Sequence, residues 1–161
     1  MVDVAFVNPF IQSTLNVFKT MVFMEAKMEP PYLKVQEDLG YTIDISGSIG
    51  LAGQTNGVVV IAFSQEIACK ISSNMLGEDI TEIDDTVKDT IGEMANMIAG
   101  GAKGIMAEKQ LNFKIALPSV TVGKGHTISY PKGVPSMVIP FRLATLDSKF
   151  YVEVCLKTDN A

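Results

Sequence analysis

The residues of this chain best suited to chemistry are Asp89, Glu93 and Asn96, in the run Asp89-Thr-Ile-Gly-Glu93-Met-Ala-Asn96. Spacings of four and seven return to one face of an α-helix. At about 100° per residue the three side chains fall within about 60° of one another. Val87, Ile91, Met94, Ile98 and Ile105 gather on the opposite side, the stripe expected of a helix packed on a core. Past Asn96 the polar side continues into Gly100 and Gly104, poor helix formers that each cost about 1 kcal/mol against alanine. They leave the face flat, so that another protein could approach Glu93 and Asn96 closely. Asp89 and Glu93 also stand in like-charge i,i+4 register, unfavourable by a few tenths of a kcal/mol, which a purely structural helix has no reason to adopt. A carboxylate beside a carboxamide on a bare helix face points to chemistry on a large substrate.

The helix that must carry these residues starts at Asp84 or Asp85 and runs to about Lys109. Upstream, Asn8 caps and Pro9 opens a helix over 9–24, with Ile11, Leu15, Phe18 and Val22 at helical spacing. Pro30-Pro31 leads into a short strand over 32–35. Strict alternation follows, with Tyr41, Ile43, Ile45, Ile49 and Leu51 on one face. A turn over 53–57 feeds a strand over 58–63. Ser64 then caps a helix that ends at Gly77. Residues 112–122 read as a strand bent by Pro118, and 123–133 as a loop or short strand containing His126. A hairpin of 136–144 and 149–157 closes the chain, with Phe150, Val152, Val154 and Leu156 on one side. Each half therefore has a long helix, an irregular strand and a two-stranded hairpin, a repeat in the order of elements alone.

Composition narrows the function classes. A chain of 161 residues is one domain, 1–161, able to bury a core without staples. Nearly half its residues are apolar, which excludes a disordered chain. A net charge of −5 without a basic stripe argues against nucleic acid. Cys69 and Cys155 lie far apart in apolar runs and read as reduced core thiols of a cytosolic protein. With no leader pattern and no run of ~20 apolar residues, neither a signal peptide nor a membrane span is expected, and the location predicted is cytoplasmic. His126 has no Ser, Cys or carboxylate at triad spacing. Gly123-Lys-Gly125 completes no phosphate loop, and no cluster of metal ligands is apparent.

The Asp-x3-Glu-x2-Asn pattern resembles the active helix of the CheC/CheX family of bacterial chemotaxis phosphatases, which dephosphorylate the phosphorylated response regulator CheY. Asn8-Pro9-Phe10, the run Glu93-Met-Ala-Asn-Met-Ile-Ala-Gly-Gly-Ala-Lys103, and Pro131-Lys-Gly-Val-Pro135 agree, and the likeness extends from about Val7 to Leu156. It implies an α+β fold: an internally duplicated α/β unit with long helices packed on a mainly antiparallel sheet. The first helix, aligned as Ser13-x3-Val17-x2-Thr20, lacks Glu and Asn, which points to the single-site CheX branch.

The resemblance assigns Asn96 to orienting a water for in-line attack on an aspartyl phosphate, a task for a carboxamide that accepts and donates without titrating. A second negative charge beside a phosphoryl group repels it, so Glu93 is expected to align the partner by engaging a lysine near its phosphorylation site. Asp89 and Gly100 are expected at the partner interface. No cofactor of its own is implied, since the Mg²⁺ belongs to the phosphorylated partner, and a homodimer is expected. Two other readings stay open: a non-catalytic module that binds the phosphorylated regulator, or a flagellar-switch component of related fold; and an assembly protein whose sheet edges mediate dimerisation.

Overall fold

The alternating segments pair into one antiparallel sheet. Among the residues that the computed structural model describes (4–34, 43–54, 56–128, 130 and 134–157), the elements in chain order are α1 (Val4–Val17), a π-helical turn (Phe18–Val22), β1 (Ala26–Met28), β2 (Tyr32–Leu33), β3 (Ile43–Gly53), β4 (Asn56–Phe63), α2 (Gln65–Leu76), α3 (Asp85–Glu108), β5 (Phe113–Ile115), β6 (Ser119–His126), β7 (Ser136–Leu143) and β8 (Ser148–Lys157). The sheet runs β1-β7-β8-β4-β3-β5, with β2 also on β7 and β6 also on β3. Ile43, Ile45, Ile49 and Leu51 are buried, as are Phe150, Val152, Val154 and Leu156, so both alternation patterns mark the helix-covered face. Tyr41, Val35 and residues 131–133 lie outside the described residues.

The repeat expected from element order is present, and its two halves exchange strands. The first half's irregular strands, β1 and β2, pair with the second half's β7. The second half's β5 and β6 pair with β3 of the first. The two hairpins meet at the centre through β4 and β8, from Asn56↔Lys157 to Ala62↔Tyr151. The strand anticipated over 112–122 is interrupted at 116–118 by Pro118, which lacks a ladder donor. Its second part extends to His126, beyond the expected end.

Helix α1 departs from expectation at both ends. It begins at Val4, so Pro9 lies inside it and Asn8 is not its cap. Pro9 is buried beside Phe10, and near a helix start a missing N–H forfeits only one intrahelical bond. At the other end the α-helix gives way after Val17 to the π-helical turn, closed by Phe23 in the left-handed region at φ 58°. The wider turn places Phe18 in the core, where its ring stacks on Phe150 at 4.4 Å between centroids. Phe141 stacks on the same ring from 5.1 Å. Helix α2 is capped as its sequence indicated: Ser64 Oγ accepts from Ile67 N–H and Gly77 closes the end at φ 69°.

Candidate active site

Helix α3 forms where the sequence places it. Asp84 is the N-cap, its carboxylate accepting the Val87 N–H at 3.0 Å, a contribution of about 1 kcal/mol to the helix start. Val87, Ile91, Met94 and Ile98 are fully buried, while Ile105 is only half-buried near the helix end. Asp89, Glu93, Asn96 and Gly100 are all exposed. Among the described residues, none of the three polar side chains has a hydrogen-bond or ion-pair partner. A Cβ placed on Gly100 or Gly104 would meet nothing within 4 Å. The fold therefore brings the expected carboxylates, carboxamide and open glycine onto one outward surface.

Close contacts on three sides fix that surface. Beneath α3, a Cβ on Gly47 of β3 would lie 3.1 Å from the Ala95 Cβ, so the missing side chain lets the helix sit low on the sheet. On one flank, a Cβ on Gly92 would stand 3.3 Å from Val120 Cγ2 of β6 and 4.0 Å from the Pro118 ring. On the other, a Cβ on Gly101 would collide with the Ser13 hydroxyl, which donates to the Ile98 carbonyl at 2.7 Å. The positioning residues Ser13, Gly47, Gly92 and Gly101 escape sequence reading. Their only signal is a small residue where an amphipathic pattern calls for a large one. Ser13 and Val17 are buried while Thr20 is exposed in the π-helical turn, so the two α1 positions aligned with Asp89 and Glu93 face inward rather than outward.

His126, isolated in sequence, has a hydroxyl partner in space. Its Nε2 lies 2.9 Å from Ser46 Oγ and its Nδ1 lies 2.7 Å from the Gly123 carbonyl. The carbonyl can only accept, so Nδ1–H donates to it, and in the neutral ring Nε2 accepts from the serine. Ser46 is buried and, among the described residues, no carboxylate bonds the imidazole, so the pair fastens β6 to β3 instead of forming a nucleophile. Cys69 and Cys155 are buried free thiols, and burial pushes both above the ordinary thiol value, away from thiolate reactivity. Among the described residues, no three His, Cys, Asp or Glu side chains gather as metal ligands, and no helix is long and apolar enough to cross a membrane.

Residues 45–142, more than half of the chain and including all of α3, match the family model described as chemotaxis phosphatase CheX. The chain belongs to this family. It is 26% identical over 123 residues to the CheY-P phosphatase CheX of Thermotoga maritima, covering 76% of this chain and 78% of that one. Among solved structures it is similar to a CheC-like superfamily protein from Shewanella sp. PV-4, with 39% identity, a TM-score of 0.88, and 97% and 99% of the two chains covered. A chain from the CheX–CheY–BeF3–Mg²⁺ complex of Borrelia burgdorferi matches with 26% identity, a TM-score of 0.81, and 98% and 99% covered. Family membership carries the CheC-like α+β fold and the phosphatase class with it.

Proposed function

We propose that this chain hydrolyses the aspartyl phosphate of a CheY-like response regulator, with Asn96 orienting the attacking water and Glu93 aligning the partner. The position of Asn96 carries this reading: it stands outward on a helix held from three sides, beside the open Gly100. An aspartyl phosphate is already reactive, and phosphoryl transfer passes through a loose transition state, so placement of the nucleophile counts for more than base strength. The carboxamide oxygen accepts from the water and its nitrogen donates nearby. Water attacks phosphorus in line, the bond to the aspartyl oxygen breaks, and inorganic phosphate leaves the restored carboxylate. Glu93 pairs with a lysine beside the regulator's phosphorylation site, Asp89 touches the regulator's surface, and Gly100 gives clearance.

The regulator supplies the Mg²⁺, a reading supported by the Borrelia complex, which contains CheY and Mg²⁺ together. The protein acts in the cytoplasm as a homodimer. Its chain works as one domain, a view supported by the strand exchange that ties both halves into one sheet. Phosphate release from an acetyl-phosphate-charged regulator tests the chemistry. Asn96→Ala should abolish the acceleration while leaving binding nearly intact, and Glu93→Ala should weaken binding as well. Native rates in both variants overturn the catalytic assignment. Sedimentation tests the dimer, which a monomer at micromolar concentration excludes.

A further inference from the structure

We infer that Leu117 is an apolar anchor for the receiver domain of the phosphorylated regulator, set beside the catalytic helix and outside the Asp-x3-Glu-x2-Asn motif. The inference rests on the function proposed above. Leu117 is 89% exposed, the most exposed large apolar side chain among the described residues. Single exposed leucines are common on protein surfaces, so its place in the fold matters more than its exposure. It sits in the break between β5 and β6 and directly precedes Pro118, whose ring lies against α3 at Gly92. Gly92 is adjacent to Glu93 and one turn, about 6 Å along the axis, from Asn96.

The same flank continues along β6. Val120 touches the Gly92 position, and Val122, two residues on and therefore on the same strand face, is 43% exposed. Leu117, Pro118 and Val120 thus form an apolar rim beside the polar helix face, beyond which Val122 lies in a polar cleft with Asp44, Gln65, Glu82 and Lys124. A stable protein interface covers about 800 Å² of each partner, a disc of roughly 16 Å radius. A protein whose phosphoryl group reaches Asn96 therefore covers the 116–118 break as well. Within such a footprint the motif supplies charge and hydrogen bonding, and Leu117 supplies apolar area of the kind that dominates affinity. Because the rim is continuous with the face that meets the phosphoryl group, the regulator is the occupant, in preference to a second copy of this chain.

The test measures binding of a CheY-like receiver loaded with BeF3⁻ and Mg²⁺, and separately the KM and kcat for its phosphorylated form. Burying a leucine side chain predicts that Leu117→Ser raises Kd and KM by roughly 10- to 100-fold. The kcat should stay within about twofold, and Leu117→Met should stay near native. Unchanged Kd and KM in Leu117→Ser overturn the inference. So does a variant that loses self-association yet binds the receiver normally, since the anchor would then serve a second copy. If the native protein binds the receiver but does not accelerate phosphate release, the phosphatase reading fails while the Kd comparison still decides the role of Leu117.

Discussion

The Ser13 hydroxyl donates a 2.7 Å hydrogen bond to the Ile98 carbonyl and fills the space that a Cβ on Gly101 would occupy. One small polar residue and one glycine thus join α1 to α3, directly beside the exposed Gly100. Gly101→Ala should destabilise the protein by about 1–3 kcal/mol, because a methyl group is forced into a filled contact. Ser13→Ala should cost about 1 kcal/mol by leaving a buried acceptor with one bond fewer. The double variant should lose less than the sum, since removing the hydroxyl relieves the collision. A double-mutant cycle by urea denaturation measures this coupling, and strict additivity would refute it.

Gly100 behaves oppositely to its neighbour. With nothing within 4 Å of an added Cβ, Gly100→Ala should stabilise α3 by about 0.5–1 kcal/mol through helix propensity. The larger Gly100→Leu should keep the fold yet raise KM for the phosphorylated regulator by at least about tenfold, by holding the partner away from Asn96. Thermal unfolding and steady-state phosphate release read the two effects separately.

Asn96 and Glu93 should divide along kinetic lines. On the role proposed for Asn96, Asn96→Ala removes the group that orients the attacking water, so kcat should fall by at least about 100-fold with Kd little changed. Glu93→Gln keeps shape and removes charge, so KM should rise roughly tenfold. Its salt dependence should weaken, because the proposed ion pair with the partner's lysine would no longer contribute. Both positions are exposed, and the unfolding temperature should stay near native in each variant.

Glu153 gives a pH dependence unrelated to catalysis. It is fully buried on β8 with Lys34 Nζ 3.1 Å from its Oε1. Burial raises its pKa above the ordinary 4.5, against the opposing pull of the Lys34 ammonium. A carboxyl raised in the folded state holds its proton to higher pH than in the unfolded chain. Its contribution to stability is therefore full below about 4.5 and declines as pH rises toward the native value. The stability of the native protein relative to Glu153→Gln should fall across that window when measured by denaturation at successive pH values. A difference that rises instead would reverse the sign.

The sequence by itself determined most of the elements and the make-up of the candidate site. Helical spacing put Asp89, Glu93 and Asn96 on one face and Val87, Ile91, Met94 and Ile98 on the other, and the strand alternations named the buried residues of β3 and β8. These patterns were legible because a helix or strand fixes its periodicity locally, whatever it later packs against. The limits of α1 were less legible, because they depend on Pro9 being buried and on Phe18 reaching Phe150, contacts made across the fold. Only tertiary structure decided that β5 and β6 leave their own half to pair with β3. It alone placed Ser46 against His126 and Pro118 against Gly92. It also decided which glycine of the Gly100-Gly101 pair packs and which stays open: Gly101 meets Ser13, a residue 88 positions away in sequence, and no local pattern encodes a partner that distant.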